Sequence, residues 1–419
     1  MSTIERIAFT RYSPVLNAEL TSIFWARSTT GRRTKLLQIF WKDSSPWREA
    51  NAWALIQVAR GRDPATSARN ITHLNGYANW LEKNKLTWTH FPDRDDERCL
   101  TMFRGELIRR RAAEEMAPST ASAQMAAVIR FYRWVMQHDL FEPGRKLWND
   151  RAILVQLDNA YGMRRSLLVT SSELSIPNKR AKVLAPESGV LPVSVPTSRR
   201  IVTFASEHGP VELSILLRVS FSTGMRIGTT LSLRTATIER AAPHPAFPGW
   251  FTIAVGPSLH TPVKTKFSKR GEILVPGRAI EMLKAYIRSP RRLKRVALAS
   301  AENRNLVFLT RFGVSYGNGT DDSLAMNTHI CRLRAKARSL GESCLDDFNF
   351  HRARATFGTE LAKIALKHGD VTFAIWMVKT ALMHENEQDT LRYIEFVQSI
   401  DVLEKVSDDF SREFFGFGE

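Results

Sequence analysis

The sequence predicts a mainly α protein with a small antiparallel β-sheet, and three observations point there. Apolar residues recur at three- and four-residue steps over long stretches, the period of a helix with one buried face. Two short apolar runs, Phe251–Val255 and Ile273–Val275, flank a basic turn, the pattern of paired strands. The 419 residues are 43% hydrophobic and 10% aromatic, enough apolar material for two or three packed cores, which excludes general disorder.

From Met1 to about Ser45, apolar runs mix with Arg32-Arg33-Thr34-Lys35 without a clear period, so residues 1–45 read as an N-terminal extension with some local structure. From Trp47 the pattern turns helical. Trp53, Ile56 and Val58 precede a break at Gly61-Arg62-Asp63-Pro64, and Ile71, Leu74, Tyr77, Ala78 and Leu81 then mark an amphipathic helix. Another helix begins at Pro118-Ser119-Thr120, where a hydroxyl can cap free backbone amides. Met125, Val128, Ile129, Tyr132, Val135 and Met136 line one side of it, and it stops near Gly144, after Pro143. A helical domain over residues 46–170 is the economical reading.

Residues 171–198 carry Pro177, Pro186, Pro192 and Pro196 with no lasting period, which predicts a partly extended linker. Residues 199–419 form the second domain. Val211 to Phe221 reads as a buried helix ending at Thr223-Gly224, a further helix starts close to Arg226, and the two strand runs follow around Lys264–Gly271. The rest returns to helical periods.

Lys and Arg total 60 against 42 Asp and Glu, a formal charge of +18, which favours a polyanionic partner, nucleic acid ahead of an anionic membrane. No stretch is apolar for the roughly 20 residues that a spanning helix needs, and the N-terminus has no signal-peptide pattern, so a soluble cytoplasmic protein is expected. Cys99, Cys331 and Cys344 lack C-x-x-C spacing, which supports neither a disulfide framework nor a zinc site. Phosphate-loop, dinucleotide, zincin and hydrolase motifs are missing, so no cofactor is expected.

What remains is a set of cations and one tyrosine. Thr223-Gly224-Met225-Arg226 drops an Arg at the start of a helix. The basic turn holds Lys264, Lys266 and Lys269. His351 and Arg354, at i and i+3, share a helix face and can both donate to one phosphate. His384 is followed nine residues later by Tyr393, the only tyrosine after Tyr316. Taken singly, each has a plain structural reading: a surface Arg after a cap, a solvated turn, a chance spacing, a core tyrosine.

Their joint order resembles the tyrosine recombinase or phage integrase family. TGMR matches the family's T-G-x-R at Arg226. HRARATFGTELA matches H-x-x-R-H-T-F-A-T-x-L, with His351 and Arg354 in the functional places and Thr356, Phe357 and Thr359 in supporting ones. LMHENEQDTLRY matches the segment from L-G-H to the tyrosine, and KFSKRGEILVP is similar to the hairpin after the catalytic lysine, with Lys266 the best match and Lys264 the reserve. APSTASAQMAAVIRFYRWVMQHDL is similar to the family's core-binding helix. The resemblance covers about Trp47 to Phe396. Departures are Met383 for a glycine, Ala353 for a leucine, Ala355 for a histidine and Thr229 for an acidic residue.

The resemblance implies a helical core-binding domain and an α+β catalytic domain forming a C-shaped clamp on double-stranded DNA. It implies a site-specific recombinase or integrase of a mobile element that cleaves and rejoins strands through a 3′-phosphotyrosyl intermediate without metal or ATP. Tyr393 would be the nucleophile, Arg226 and Arg354 the phosphate clamp, His351 the proton acceptor, Lys266 the leaving-group acid and His384 a further donor. A homotetramer on DNA and accessory recombination proteins are implied as partners. Three alternatives stay open: a DNA-binding protein with a decayed site on the same fold, a type IB topoisomerase-like enzyme, and an unrelated RNA-binding protein.

Overall fold

A computed structural model describes residues 1–10, 12–16, 23–27, 34–158, 164–178, 185–187, 189–317 and 323–415. The chain divides into two units, residues 1–157 with 164–182 and residues 158–163 with 183–419.

The first unit opens with four strands, β1 (Thr3–Phe9), β2 (Tyr12–Leu16), β3 (Ile23–Arg27) and β4 (Thr34–Phe40). β1 pairs antiparallel with β4, Thr3 opposite Phe40, and β2 with β3, Tyr12 opposite Arg27. The helices α1 (Arg48–Ala59), α2 (Pro64–Lys83), α3 (Cys99–Ala112) and α4 (Pro118–Gln137) follow, and β5 (Asp150–Asp158) and β6 (Arg164–Ser172) lie side by side after them. The core gathers Trp47, Ile71, Leu74, Tyr77, Phe103, Met125, Phe131 and Tyr132. Burying an aliphatic or aromatic side chain of this kind stabilises by about 1.5–3 kcal/mol.

Three expectations are corrected in this unit. The end of the N-terminal stretch is not an appendage, because Ile39 on β4 enters the helical core and Asn51 bonds both the Ile39 amide, at 2.8 Å, and its carbonyl, at 3.0 Å. A half-buried strand has no helical period, so its role was hidden. The hydroxyls at Ser119 and Thr120 do not cap α4: Ala117 is the N-cap and Pro118 fills the first turn, where a missing N–H removes no helical bond. The helix ends at Gln137, before Pro143 and Gly144.

The second unit contains α5 (Val195–His208), α6 (Val211–Thr223), α7 (Ile227–Leu231) and α8 (Thr235–Glu239), then a three-stranded sheet of β7 (Ala242–Pro243), β8 (Trp250–Val255) and β9 (Gly271–Pro276). The strands are antiparallel in the order β7-β8-β9, with Phe251 opposite Val275 and Ile253 opposite Ile273. Ile253, Val255, Ile273 and Val275 are buried, the alternation expected of a sheet covered on one face. Six helices complete the unit: α9 (Gly277–Arg288), α10 (Pro290–Ala297), α11 (Leu324–Ser339), α12 (Phe350–His368), α13 (Val371–Leu382) and α14 (Glu387–Phe415). Helix α12 packs against α6, α13 and α14. The fold is therefore mainly α with small antiparallel sheets.

The stretch 171–198 is not a linker along its whole length. Leu174 and Ile176 are buried in the core of the first unit, and Val193 in the core of the second. The Val193 amide also donates to Thr356 Oγ1 at 2.9 Å. Its prolines break the helical period without preventing either end from docking.

Candidate active site

The site in the second unit starts with a turn that only glycine can make. Gly224, the cap of α6, has φ 63°, and a Cβ there would fall 2.5 Å from Phe357 Cδ1 and 2.7 Å from Leu382 Cδ2. Both the left-handed backbone and the lack of space require glycine. The turn sets Arg226 as the N-cap of α7 and aims the Gly224 carbonyl at Arg354.

Between β8 and β9 a short 3-10 turn, Lys266–Ser268, carries the basic residues, with Phe267 and Ser268 both at positive φ. Lys266 and Lys269 line a cavity together with Thr223, Met225, Arg226 and Arg354. Lys264 is not among the residues lining it; its backbone amide bonds Ser232 Oγ at 2.8 Å. Lys269 Nζ donates to the carbonyls of Met383 and His384, each at 3.4 Å.

Helix α12 is capped by Asn349, whose Oδ1 accepts from the Arg352 amide at 3.1 Å. This places His351 in the first turn and Arg354 in the next. Arg354 is buried and binds three separate segments. Nη1 donates to Gly224 O and Nη2 to Leu382 O, both at 2.9 Å, and Nε contacts Glu187 Oε1 at 3.1 Å and Oε2 at 3.0 Å. After α13, Met383 takes the left-handed conformation, φ 53° and ψ 44°, at the position where the resemblance has glycine. Its side chain packs towards Gly271, where a Cβ would lie 2.6 Å from Met383 Cε. His384 follows, with Nδ1 3.0 Å from Thr390 Oγ1, and Tyr393, buried on α14, donates its hydroxyl to Glu187 Oε2.

The charges fix the protonation states. Burial pushes His384 down to about 3, reinforced by Arg354, Arg226 and Lys269 and opposed by Glu187, so its ring is neutral at pH 7. His351 is also lowered, by desolvation and by Arg354, Arg226 and Lys266, with Glu187 opposing. Burial and then the Glu187 charge and hydrogen bond raise the Tyr393 phenol well above its usual value, against the opposing pull of Arg354 and Arg226. Burial alone would raise the Glu187 carboxyl, but Arg354, the tyrosine hydrogen bond, Arg226 and His384 together hold it low.

Of the residues singled out from sequence, Arg226, Lys266 and Arg354 share the cavity, while Arg354 and Tyr393 meet through Glu187. His351 and His384 lie within the same field of charge. Glu187 is the participant that the sequence reading missed. The available signal was that it is the only acidic residue between Glu173 and Glu207. Thr229 and Ala355, which replace an acidic residue and a histidine, are both buried. Among the described residues no His, Cys, Asp and Glu cluster is arranged to hold a metal ion, and no helix is long and apolar enough to cross a membrane.

Solved structures similar to this chain are integrases. One is the Tn1549 transposon integrase in complex with circular intermediate DNA, with a TM-score of 0.46 and 13% identity over 82% of this chain and 94% of that one. A lambda integrase dimer bound to a core site gives a TM-score of 0.46 and 12% identity over 83% and 94%. The catalytic domain of bacteriophage HP1 integrase gives 0.29 and 15% over 54% and 95%. No protein-family model matches the sequence, and no curated protein does.

Proposed function

We propose that this chain is a site-specific DNA recombinase of the tyrosine type, which cuts and rejoins strands through a phosphotyrosyl link. One observation carries the reading: the buried Arg354 guanidinium and the Tyr393 hydroxyl both donate to a single anionic oxygen, Glu187 Oε2. Nucleophile and clamp thus address one anion position, next to a cavity lined by Arg226, Lys266 and Lys269. The order of these residues along the chain, read as a resemblance, supports the same function.

In the proposed reaction Tyr393 Oη attacks the phosphorus, the P–O5′ bond breaks, and the strand is left with a 3′-phosphotyrosyl end and a 5′-hydroxyl. The phenol proton passes to His351, whose lowered pKa leaves it neutral and able to accept. Lys266 gives a proton to the departing 5′ oxygen. Arg226, Arg354 and His384 stabilise the charge on the nonbridging oxygens, where one well-placed donor contributes about 2.7–4 kcal/mol. Attack by a new 5′-hydroxyl reverses the step. The +18 charge supplies the phosphate contacts that make duplex binding fall steeply with salt. Assembly of several copies on DNA belongs to the same reading, supported by exposed apolar residues on the distal half of α14.

The test is covalent trapping on nicked duplexes taken from the DNA flanking the protein's own coding sequence. The wild type should give a protein–DNA adduct that Tyr393→Phe does not; an undiminished adduct with the phenylalanine variant defeats the assignment.

A further inference from the structure

We propose that Glu187 and the stretch from Gly189 to Val193 form an autoinhibitory strap: the Glu187 carboxylate occupies the phosphodiester position on Arg354 and Tyr393, and DNA must displace it before strand attack. The proposal rests on the strand-transferase reading above and adds a control on the same site.

The geometry supplies the first argument. A carboxylate and a phosphodiester are both anions with paired oxygens, and both suit an Arg donor. Glu187 uses both oxygens on Arg354 Nε and one on the Tyr393 hydroxyl. Nη1 and Nη2 each donate to a carbonyl, of Gly224 and of Leu382, and the single N–H of Nε is spent on Glu187, so an outside anion must compete with the carboxylate there. Two anions on that nitrogen and that phenol repel at close range in a buried site.

The rival role for Glu187, as the base that takes the phenol proton, fits the protonation balance poorly. Arg354 and its neighbours hold the Glu187 carboxyl below its ordinary value, while burial and the Glu187 charge raise the phenol well above its own. The proton therefore stays on the phenol. The carboxylate keeps the nucleophile protonated rather than activating it.

The way the segment is attached fits displacement. Gly189, at φ 87°, makes a turn closed by the Val190 amide on Glu187 O at 2.7 Å. Beyond it, Arg352 Nε holds Leu191 O at 3.1 Å, and buried Val193 is anchored on Thr356. Glu187 therefore sits on a glycine turn with its anchor several residues downstream, so it can leave the site without uprooting the segment from the core.

The probe is inorganic phosphate, titrated calorimetrically into the full-length protein. Glu187→Gln should bind it at least tenfold more tightly than the wild type, and adding Arg354→Ala should remove the gain. Arg352→Ala, which loosens the strap without altering the site, should shift affinity in the same direction by a smaller factor, and it decides the question if Glu187→Gln melts early. On nicked duplex, Glu187→Gln should form adduct at least tenfold faster than the wild type. Unchanged phosphate affinity in both variants overturns the strap, as does a Glu187→Gln protein that binds DNA normally but forms adduct more slowly. If no variant forms an adduct on any duplex while Glu187→Gln still gains phosphate affinity through Arg354, the strap stands and the strand-transferase reading falls.

Discussion

The ring of Tyr393 rests directly on the backbone of α12 at Gly358: a Cβ there would stand 2.3 Å from Tyr393 Cε1 and 2.9 Å from both Tyr393 Cδ1 and Leu382 Cδ1. Helix propensity alone says that alanine in mid-helix should stabilise by about 1 kcal/mol. Overpacking of a buried ring costs about 1–3 kcal/mol, and at 2.3 Å the neighbour is a rigid aromatic carbon, so the clash should win. Gly358→Ala is expected to lower the melting midpoint by several degrees and to reduce adduct formation more than DNA binding, because the ring that moves carries the proposed nucleophile. A higher midpoint would show that the ring relaxes freely.

The parts of the candidate site that local rules write into the chain were legible in the sequence. A glycine turn before Arg226, a capped helix start before His351 and Arg354, and a histidine nine residues before Tyr393 are each set by a few adjacent positions. Glu187 was illegible because its partners lie 167 and 206 residues away and its neighbours are prolines and small residues. The N-terminal strands were missed for a related reason: β4 enters a core built by helices, and a half-buried strand without a helical period resembles a loop when read alone. Met383 shows a third case, in which a side chain fills the space beside Gly271 while its backbone adopts the conformation that usually favours glycine.

Acid stability should reflect His384. Its folded pKa is about 3 against an ordinary 6.5, so between these values the unfolded chain binds a proton that the folded chain does not. Stability therefore rises with pH across that window, and acidification below about 6.5 should remove about 1.4 kcal/mol per pH unit from this group. His351 acts in the same direction. Glu187, with its pKa lowered, adds stability that is fully present above its unfolded value and is lost as pH falls through the folded one. Urea midpoints from pH 7 to 5 should fall more steeply in the wild type than in a His384→Gln protein; equal slopes would place the titration elsewhere.

The two cavity lysines should separate by substrate. Lys266→Ala should slow cleavage of ordinary DNA and matter much less when the bridging 5′ oxygen is replaced by sulfur, since a thiolate leaves without a proton. Lys269 instead holds the carbonyls of Met383 and His384, so Lys269→Ala should depress both substrates alike by disturbing the turn before Tyr393. Rescue by sulfur in Lys264→Ala rather than Lys266→Ala would shift the acid to Lys264.

Helix α14 changes character along its length. Tyr393, Ile394, Phe396 and Val397 are buried in their own unit, whereas Val402, Leu403 and Val406 are 58%, 58% and 56% exposed. The periodicity that sequence alone showed across Val397, Ile400, Leu403, Val406 and Phe410 therefore belongs to two different environments: Val397 packs in its own chain, and the distal residues present an apolar stripe. Burying three aliphatic side chains of this size stabilises an interface by several kcal/mol before the cost of association. A second copy bound to adjacent DNA is the proposed occupant of that stripe. Truncation after Ser399 should leave the melting midpoint and single-site DNA binding close to wild type, because the buried residues remain. Sedimentation on a two-site duplex should then show single occupancy, where the full-length protein gives cooperative complexes. Loss of folding on truncation would mean that the distal half packs in cis, and unchanged cooperativity would place the contact between copies elsewhere.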